Sequence, residues 1–287
     1  MKRKASFPFA FHSTFRNFVG MNEMRRITDI SELRGIQMGI LDEIHRFCTQ
    51  HGITYFLSSG TLIGAVRHKG YIPWDDDLDL YMPRADYERF LHTYRDERGI
   101  YRVLDPKKEK HYFYTFGKVV DTRTRMVEKE TEGYEIGVYV DLFPVDYVTD
   151  DMGKRQRIFR LKKLLYKIRR CKMSKKNFLR SRLAYYCYRY LPVPLAAVDW
   201  MIERLTVSRK ATQTVCNMTE AGPGVNGCFP ASVIASSVDI EFEGKQYKTM
   251  VGYKEYLERT YGDYMTLPPV EQRQTHQFEA YFLMHNE

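Results

Sequence analysis

Four aspartates, Asp75, Asp76, Asp77 and Asp79, fall within five positions of the stretch GTLIGAVRHKGYIPWDDDLDL, residues 60–80. Like charges packed this closely repel unless a positive group sits among them. Leu78 and Leu80 alternate with Asp77 and Asp79, and a period of two describes a half-buried strand with both acids on one face. A chain built this way has to place an acid-bearing strand beside a polar opening. Just ahead, Gly60-Thr61 forms a small-residue turn, and Arg67-His68-Lys69 is a cationic run. Acid, base and glycine turn together point to a divalent metal and a phosphate.

Two strand carboxylates at i and i+2 lie about 6 to 7 Å apart along the chain, close enough to reach one hard cation or bracket two. Mg²⁺ takes oxygen ligands and usually shares them with waters and substrate phosphates. Paired metals stabilise both the attacking and the leaving oxygen of phosphoryl transfer. A third carboxylate from another strand commonly completes such a site. Asp141 in GVYVDLF, residues 137–143, is the candidate, because an acid amid Val138, Val140, Leu142 and Phe143 needs a partner. No Cys/His cluster has zinc-ligand spacing.

The order of these features suggests a nucleotidyltransferase fold, with a glycine turn after the first strand and acids on the second. GTLIGAVRHKGYIPWDDDLDL, running on into YMPRADYERF, resembles the signature of the LicD family of phosphocholine transferases, to which the fukutin-type proteins are distantly related. VYVDLFPVD at 138–146 and YKEYLERTYGDYMTLPP at 253–269 extend the resemblance. It implies that Asp77, Asp79 and Asp141 are the catalytic and metal-binding acids, with Mg²⁺ or Mn²⁺ as cofactor; Asp141 is either a ligand or the base for the acceptor hydroxyl. Gly60 and Thr61 would bring amides to the donor phosphates, and Arg67 and Lys69 suit phosphate charge. Trp74 either stacks on a base or choline-like cation or packs in the core. Asp75 and Asp76 either orient the metal shell or keep the loop solvated. Lys118 faces the nucleotide or stands on a strand surface. His68 and His111 read as surface or packing residues, and Arg273 and His276 close the third motif. The implied partners are a CDP-alcohol donor and a glycan or lipid-linked saccharide acceptor.

The fold expected is α+β, a mixed sheet flanked by helices, with a helical basic C-terminal region. Residues 1–28 read as a basic, aromatic arm, 29–150 as the catalytic core, and 151–287 as a basic helical segment and C-terminal portion packed on it. The spacing predicts a helix over 31–47 capped by Ser31 and broken at Gly52, and a first strand over 53–57. It predicts a helix to His68 stopped by Gly70, a strand over 77–81, and a helix over 84–94. A strand over 137–143 should end at Pro144. A hairpin should turn at Glu243-Gly244-Lys245, and 221–227 reads as a turn-rich loop.

Lys154 to Arg182 holds fourteen Lys or Arg and no acid. Ile158, Leu161, Leu164, Leu165 and Ile168 run through it at helical spacing. A basic amphipathic helix of this kind suits an anionic membrane face. The net charge of +9 agrees with an anionic partner, while no nucleic-acid module accompanies it. The N-terminus does not read as a signal peptide, no run of about 20 apolar residues suits a spanning helix, and five cysteines without CxxC spacing read as free thiols. A cytoplasmic protein peripheral to the membrane's inner face is the expected location. Two rival readings are a DxD-type glycosyltransferase using a nucleotide sugar and a silent membrane-associated scaffold.

Overall fold

The computed structural model describes residues 24–109, 112–127, 136–174, 177–207, 210–219, 227–273 and 279–284. His111, His276, residues 1–23 and most of the expected loop at 221–227 lie outside them.

The fold is α+β. Its main sheet has seven strands: β2 (Phe56–Leu57), β3 (Asp79–Pro83), β7 (Tyr139–Val148), β5 (Gly117–Asp121) and β4 (Tyr101–Leu104) in spatial order, with β8 (Thr214–Asn217) and β9 (Cys228–Pro230) branching from β7. The β3–β7 pair is parallel and the other pairs are antiparallel. A second sheet of three strands sets β12 (Ala280–Leu283) between β1 (Met24–Ile27) and β6 (Thr124–Met126). Ser237–Phe242 (β10) and Lys245–Met250 (β11) form a hairpin turned by Glu243 and Gly244, both at positive φ, as a two-residue turn requires.

Helix α1 (Ile30–His51) buries Leu33, Ile40, Leu41, Ile44 and Phe47 against the sheet and stops at Gly52 in the left-handed region. Asp29 is its cap, accepting from the Ser31 amide; the expected cap, Ser31, stands two residues inside. Helix α2 (Ser59–His68) ends at His68 as expected, but Lys69 and not Gly70 takes the left-handed turn; a Cβ on Gly70 would stand 2.1 Å from Glu243 Oε1, which would have to shift. Helix α3 (Arg84–Thr93) buries Tyr87, Phe90 and Leu91.

Strand β7 runs through Pro144 instead of ending there. Residues 139–142 pair with β5 and residues 145–148 with β8, so the proline falls where neither ladder needs its missing N–H.

Three further helices, α4 (Met152–Met173), α5 (Arg182–Arg189) and α6 (Leu195–Thr206), make up the basic region, and α7 (Tyr253–Tyr261) returns to the core. The apolar stripe expected on α4 is rotated. Leu165 and Ile168 are buried with Val198 and Ile202 of α6, whereas Leu161 and Leu164 are exposed. Three cations, Arg155, Lys162 and Arg169, face inward in their place. Arg155 bonds the Thr149 carbonyl and the Thr214 hydroxyl, and Arg169 bonds Asp199 and the Tyr112 carbonyl. Lys162 lies over the rings of Phe159 and Tyr166. The five cysteines are free. Among the described residues no helix is long and apolar enough to cross a membrane.

Candidate active site

The site forms where β2 turns into α2, beside the first residues of β3 and β7. Asp79 opens β3, and the parallel register sets it directly opposite Asp141 of β7. Antiparallel pairing then sets Lys118 of β5 opposite Asp141 on the far side. Neighbouring strands lie about 4.8 Å apart and cross-strand partners share a face, so Asp79, Asp141 and Lys118 form one charged row across three strands. Asp77 sits two residues before Asp79, in the irregular segment that leads into the strand and not on the strand itself.

Lys118 is not a surface lysine. It is 1% exposed, its Nζ donates to Asp141 Oδ1 at 2.6 Å, and the rings of Tyr139, Tyr114 and Phe116 surround it. A buried cation is tolerated only when paired; here the carboxylate and three π-faces offset its charge. One step along the same face lies an aromatic row, Tyr81, Phe143 and Phe116, with ring centroids 6.1 and 4.3 Å apart.

The head of α2 abuts the acids. The Thr61 hydroxyl accepts from the Asp79 amide at 2.9 Å, and the Ser58 amide donates to the Asp79 carbonyl. Gly60 lets the Asp75 carboxylate approach closely: a Cβ there would stand 2.7 Å from Asp75 Oδ2, which would have to shift. Ser59 is held at φ +49, a backbone state rare for a residue with a side chain. Among the described residues the buried Ser58 hydroxyl has no hydrogen-bond partner. Strain and an unsatisfied hydroxyl together at one turn are features that cluster at functional sites.

The third motif closes over this turn. Tyr256 of α7 bonds Ser59, and its pKa is pushed well above the usual phenol range, by burial first and then by Tyr81. Tyr261, 43% exposed as a whole, also bonds the Ser59 side chain, and desolvation of its hydroxyl end, then Tyr256 and the Asp79 charge, shift its pKa upward. Both remain phenols near neutrality.

The acidic loop is held from behind by α1. The Arg34 guanidinium donates to the carbonyls of Ile72, Pro73 and Asp75, and Gln37 donates to the Asp76 carbonyl at 2.7 Å. Sequence reasoning missed both residues; the available signal was two polar side chains on the turns of α1 that also carry Leu33 and Ile40. Asp76 is buried, and Asp75 and Asp77 are half-buried. Trp74 packs at the edge of the core with the Arg273 guanidinium over its ring at 4.6 Å.

Arg67 and Lys69 stand at the other end of α2, about 10 Å along its axis from Gly60. Arg67 donates to the Tyr264 carbonyl and to His68 Nε2. Burial and the Arg67 charge lower the His68 pKa, so its neutral ring can accept that bond. The Lys69 carbonyl accepts from the Glu243 amide. The structure thus brings Gly60 and Asp75, and Thr61, Asp79, Asp141 and Lys118, to one end of α2, with Asp77 on the segment leading in, and leaves Arg67 and Lys69 at the other end.

Among the described residues no three acidic, histidine or cysteine side chains close into a ready metal cage. The donor set still suits a hard cation, because Mg²⁺ is commonly held by one or two carboxylates with substrate phosphates supplying the rest.

Comparison with known proteins agrees with this geometry. Residues 52–195 match the family model described as LicD/FKTN/FKRP, nucleotidyltransferase domain. The chain is 30% identical over 275 residues to the lipopolysaccharide cholinephosphotransferase LicD of Haemophilus influenzae, covering 91% of this chain and 100% of that protein. It is 34% identical over 96 residues to the ribitol 5-phosphate transferase FKRP of Homo sapiens, 33% of this chain and 14% of that one. An uncharacterized Rickettsia typhi protein is 31% identical over 120 residues, 41% of this chain and 37% of its own length. A glycine turn, an acid row across parallel strands and a full-length relative therefore lead to one conclusion: the chain belongs to the LicD/FKTN/FKRP nucleotidyltransferase-domain family, as a LicD-like phosphotransferase.

Proposed function

We propose that the protein moves a phospho-alcohol group, with phosphocholine the leading candidate, from a CDP-linked donor to a hydroxyl of a surface glycan such as lipopolysaccharide, releasing CMP. The observation that carries this reading is the Asp79–Asp141 row at the head of α2, in a chain that aligns over its relative's whole length with a lipopolysaccharide cholinephosphotransferase.

Asp77, Asp79 and Asp141 would hold Mg²⁺ or Mn²⁺, which when bound offsets charge on the donor diphosphate. Lys118 offsets the charge of Asp141 and fixes the direction of its carboxylate. Amides at Gly60 and Thr61 give the diphosphate fixed donors at a helix start. The Thr61–Asp79 bond ties that helix start to the acid strand, so donor and acids keep one relative placement. Arg34 and Gln37 hold the loop of Asp75 and Asp76 in place from behind. Phosphoryl transfer depends largely on such placement and on charge stabilisation. The aromatic row beside the acids, Tyr81, Phe143 and Phe116, is buried in the core and backs the acid row from within.

The test supplies CDP-choline, CDP-ethanolamine, CDP-ribitol and CDP-glycerol in turn, with Mg²⁺ or Mn²⁺ and a saccharide acceptor, and measures CMP. One donor should be consumed in preference, and Asp79→Asn should reduce its use by at least about a hundredfold, on the scale of losing a group that acts on developing charge. If no CDP-alcohol is turned over, or if Asp79→Asn matches the native protein, the reading fails.

A further inference from the structure

The basic helical layer buries three of its cations on α4 while several of its large apolar side chains face outward, and α5 shows that outward apolar face most clearly. Within Arg182–Arg189 only Tyr185 is buried. Leu183 is 75% exposed, Tyr186 47% and Tyr190 73%, and the spacing of 183, 186 and 190 puts them on one face. The Tyr186 and Tyr190 rings stack, with centroids 6.2 Å apart and planes 8° from parallel, and Leu191 continues the surface.

Polar bonds, with Tyr188 packed against the α4–α6 cluster, hold this helix to the protein from its inner side. Tyr185 donates its hydroxyl hydrogen to the Ser174 carbonyl, and Arg189 donates to the carbonyls of Ser174 and Cys171. The outward apolar face therefore contributes nothing to the attachment of α5. At the N-terminal end, Arg180 and Arg182 are exposed and the first turn has no acid. Cations there oppose the helix dipole. A surface that leaves three large apolar side chains in water and spends charge against its own dipole is matched to an outside partner.

We propose that the outer face of α5 docks the protein on an anionic lipid bilayer, with Leu183, Tyr186 and Tyr190 entering the headgroup boundary and Arg180 and Arg182 meeting lipid phosphates. Amphipathic tyrosines and leucines beside arginines suit that boundary. The charge settles the occupant. Of the fourteen Lys or Arg between Lys154 and Arg182, where there is no acid, Arg157, Arg160, Lys163, Lys167, Arg180 and Arg182 are among those exposed. A two-fold contact with a second copy would press these cations against themselves, whereas acidic headgroups neutralise them. This inference locates lipid contact on α5 and not on a continuous stripe of α4, and it does not depend on which donor the active site uses.

The experiment is flotation of the full chain with phosphatidylglycerol-containing vesicles and with pure phosphatidylcholine vesicles, at low and high salt. The protein should float with the anionic vesicles at low salt, at least about tenfold more than with neutral ones. Leu183→Ser with Tyr190→Ser should cut that binding about tenfold, and Arg180→Gln with Arg182→Gln should remove the preference for anionic lipid. Circular dichroism and CMP release from soluble substrates should not change in either variant, since these side chains are exposed and far in sequence from the acid row. Failure of the native chain to float, or flotation of the Leu183/Tyr190 variant at the native level, overturns the proposal. So does a dimer that this variant dissociates.

Discussion

At the scale of single residues, the acid row depends on Lys118. Its charge is buried and is matched by Asp141 at 2.6 Å. Removing one member of a buried ion pair leaves the other uncompensated, whereas replacing both with apolar groups is often close to neutral. Lys118→Met should therefore destabilise the protein by about 3 kcal/mol in urea unfolding. The double variant Lys118→Met with Asp141→Leu should recover most of that loss while remaining inactive. The acids themselves were legible in the sequence because they sit in one short stretch and one apolar strand. The setting of Lys118 was not, because nothing local to residues 117–121 says that Tyr139 and Asp141 will lie against it. Arg34 and Gln37 were hidden for the same reason: they act on carbonyls about forty residues downstream.

At the scale of elements, α2 is the part that must fit most closely. A Cβ on Gly64 would stand 2.4 Å from the Gly70 carbonyl oxygen and 3.2 Å from the Ile72 amide. Backbone on both sides cannot give way as a side chain can, so Gly64→Ala should cost about 2 kcal/mol. Gly35 of α1 is exposed and meets nothing within 4 Å. Gly35→Ala should stabilise by about 0.5–1 kcal/mol through helix propensity alone. Thermal melts of the two variants check the contrast. Helix and strand identities were largely legible, since period and glycine stops are local signals. Two features were not. Pro144 looked like a terminus because only the change of partner from β5 to β8 makes room for it. The inward face of α4 was misjudged because both of its faces carry leucines and cations; the carbonyls and rings that receive Arg155, Lys162 and Arg169 come from elsewhere in the chain.

At the scale of the whole molecule, distant parts of the chain complete one another. Tyr256 and Tyr261 bond Ser59 across about two hundred residues, and Arg67 reaches the Tyr264 carbonyl. The second sheet is stricter still, because β12 lies between β1 and β6 and contributes Ala280 to a core with Ile27, Leu33, Met126 and Val138. Deleting residues 279–287 should leave β1 and β6 with unpaired inner edges. The product should show a lowered melting temperature, raised susceptibility to proteolysis and no CMP release; a truncated chain with native stability and activity would show that sheet to be dispensable. The central position of β12 also has a temporal meaning. A polypeptide emerging from the ribosome cannot insert a strand it has not yet received. The acidic half is therefore synthesised long before its neighbours arrive, and it waits unfinished. The second sheet can close only after β12 has been made and has seated between β1 and β6, so its assembly comes late in the life of the new chain.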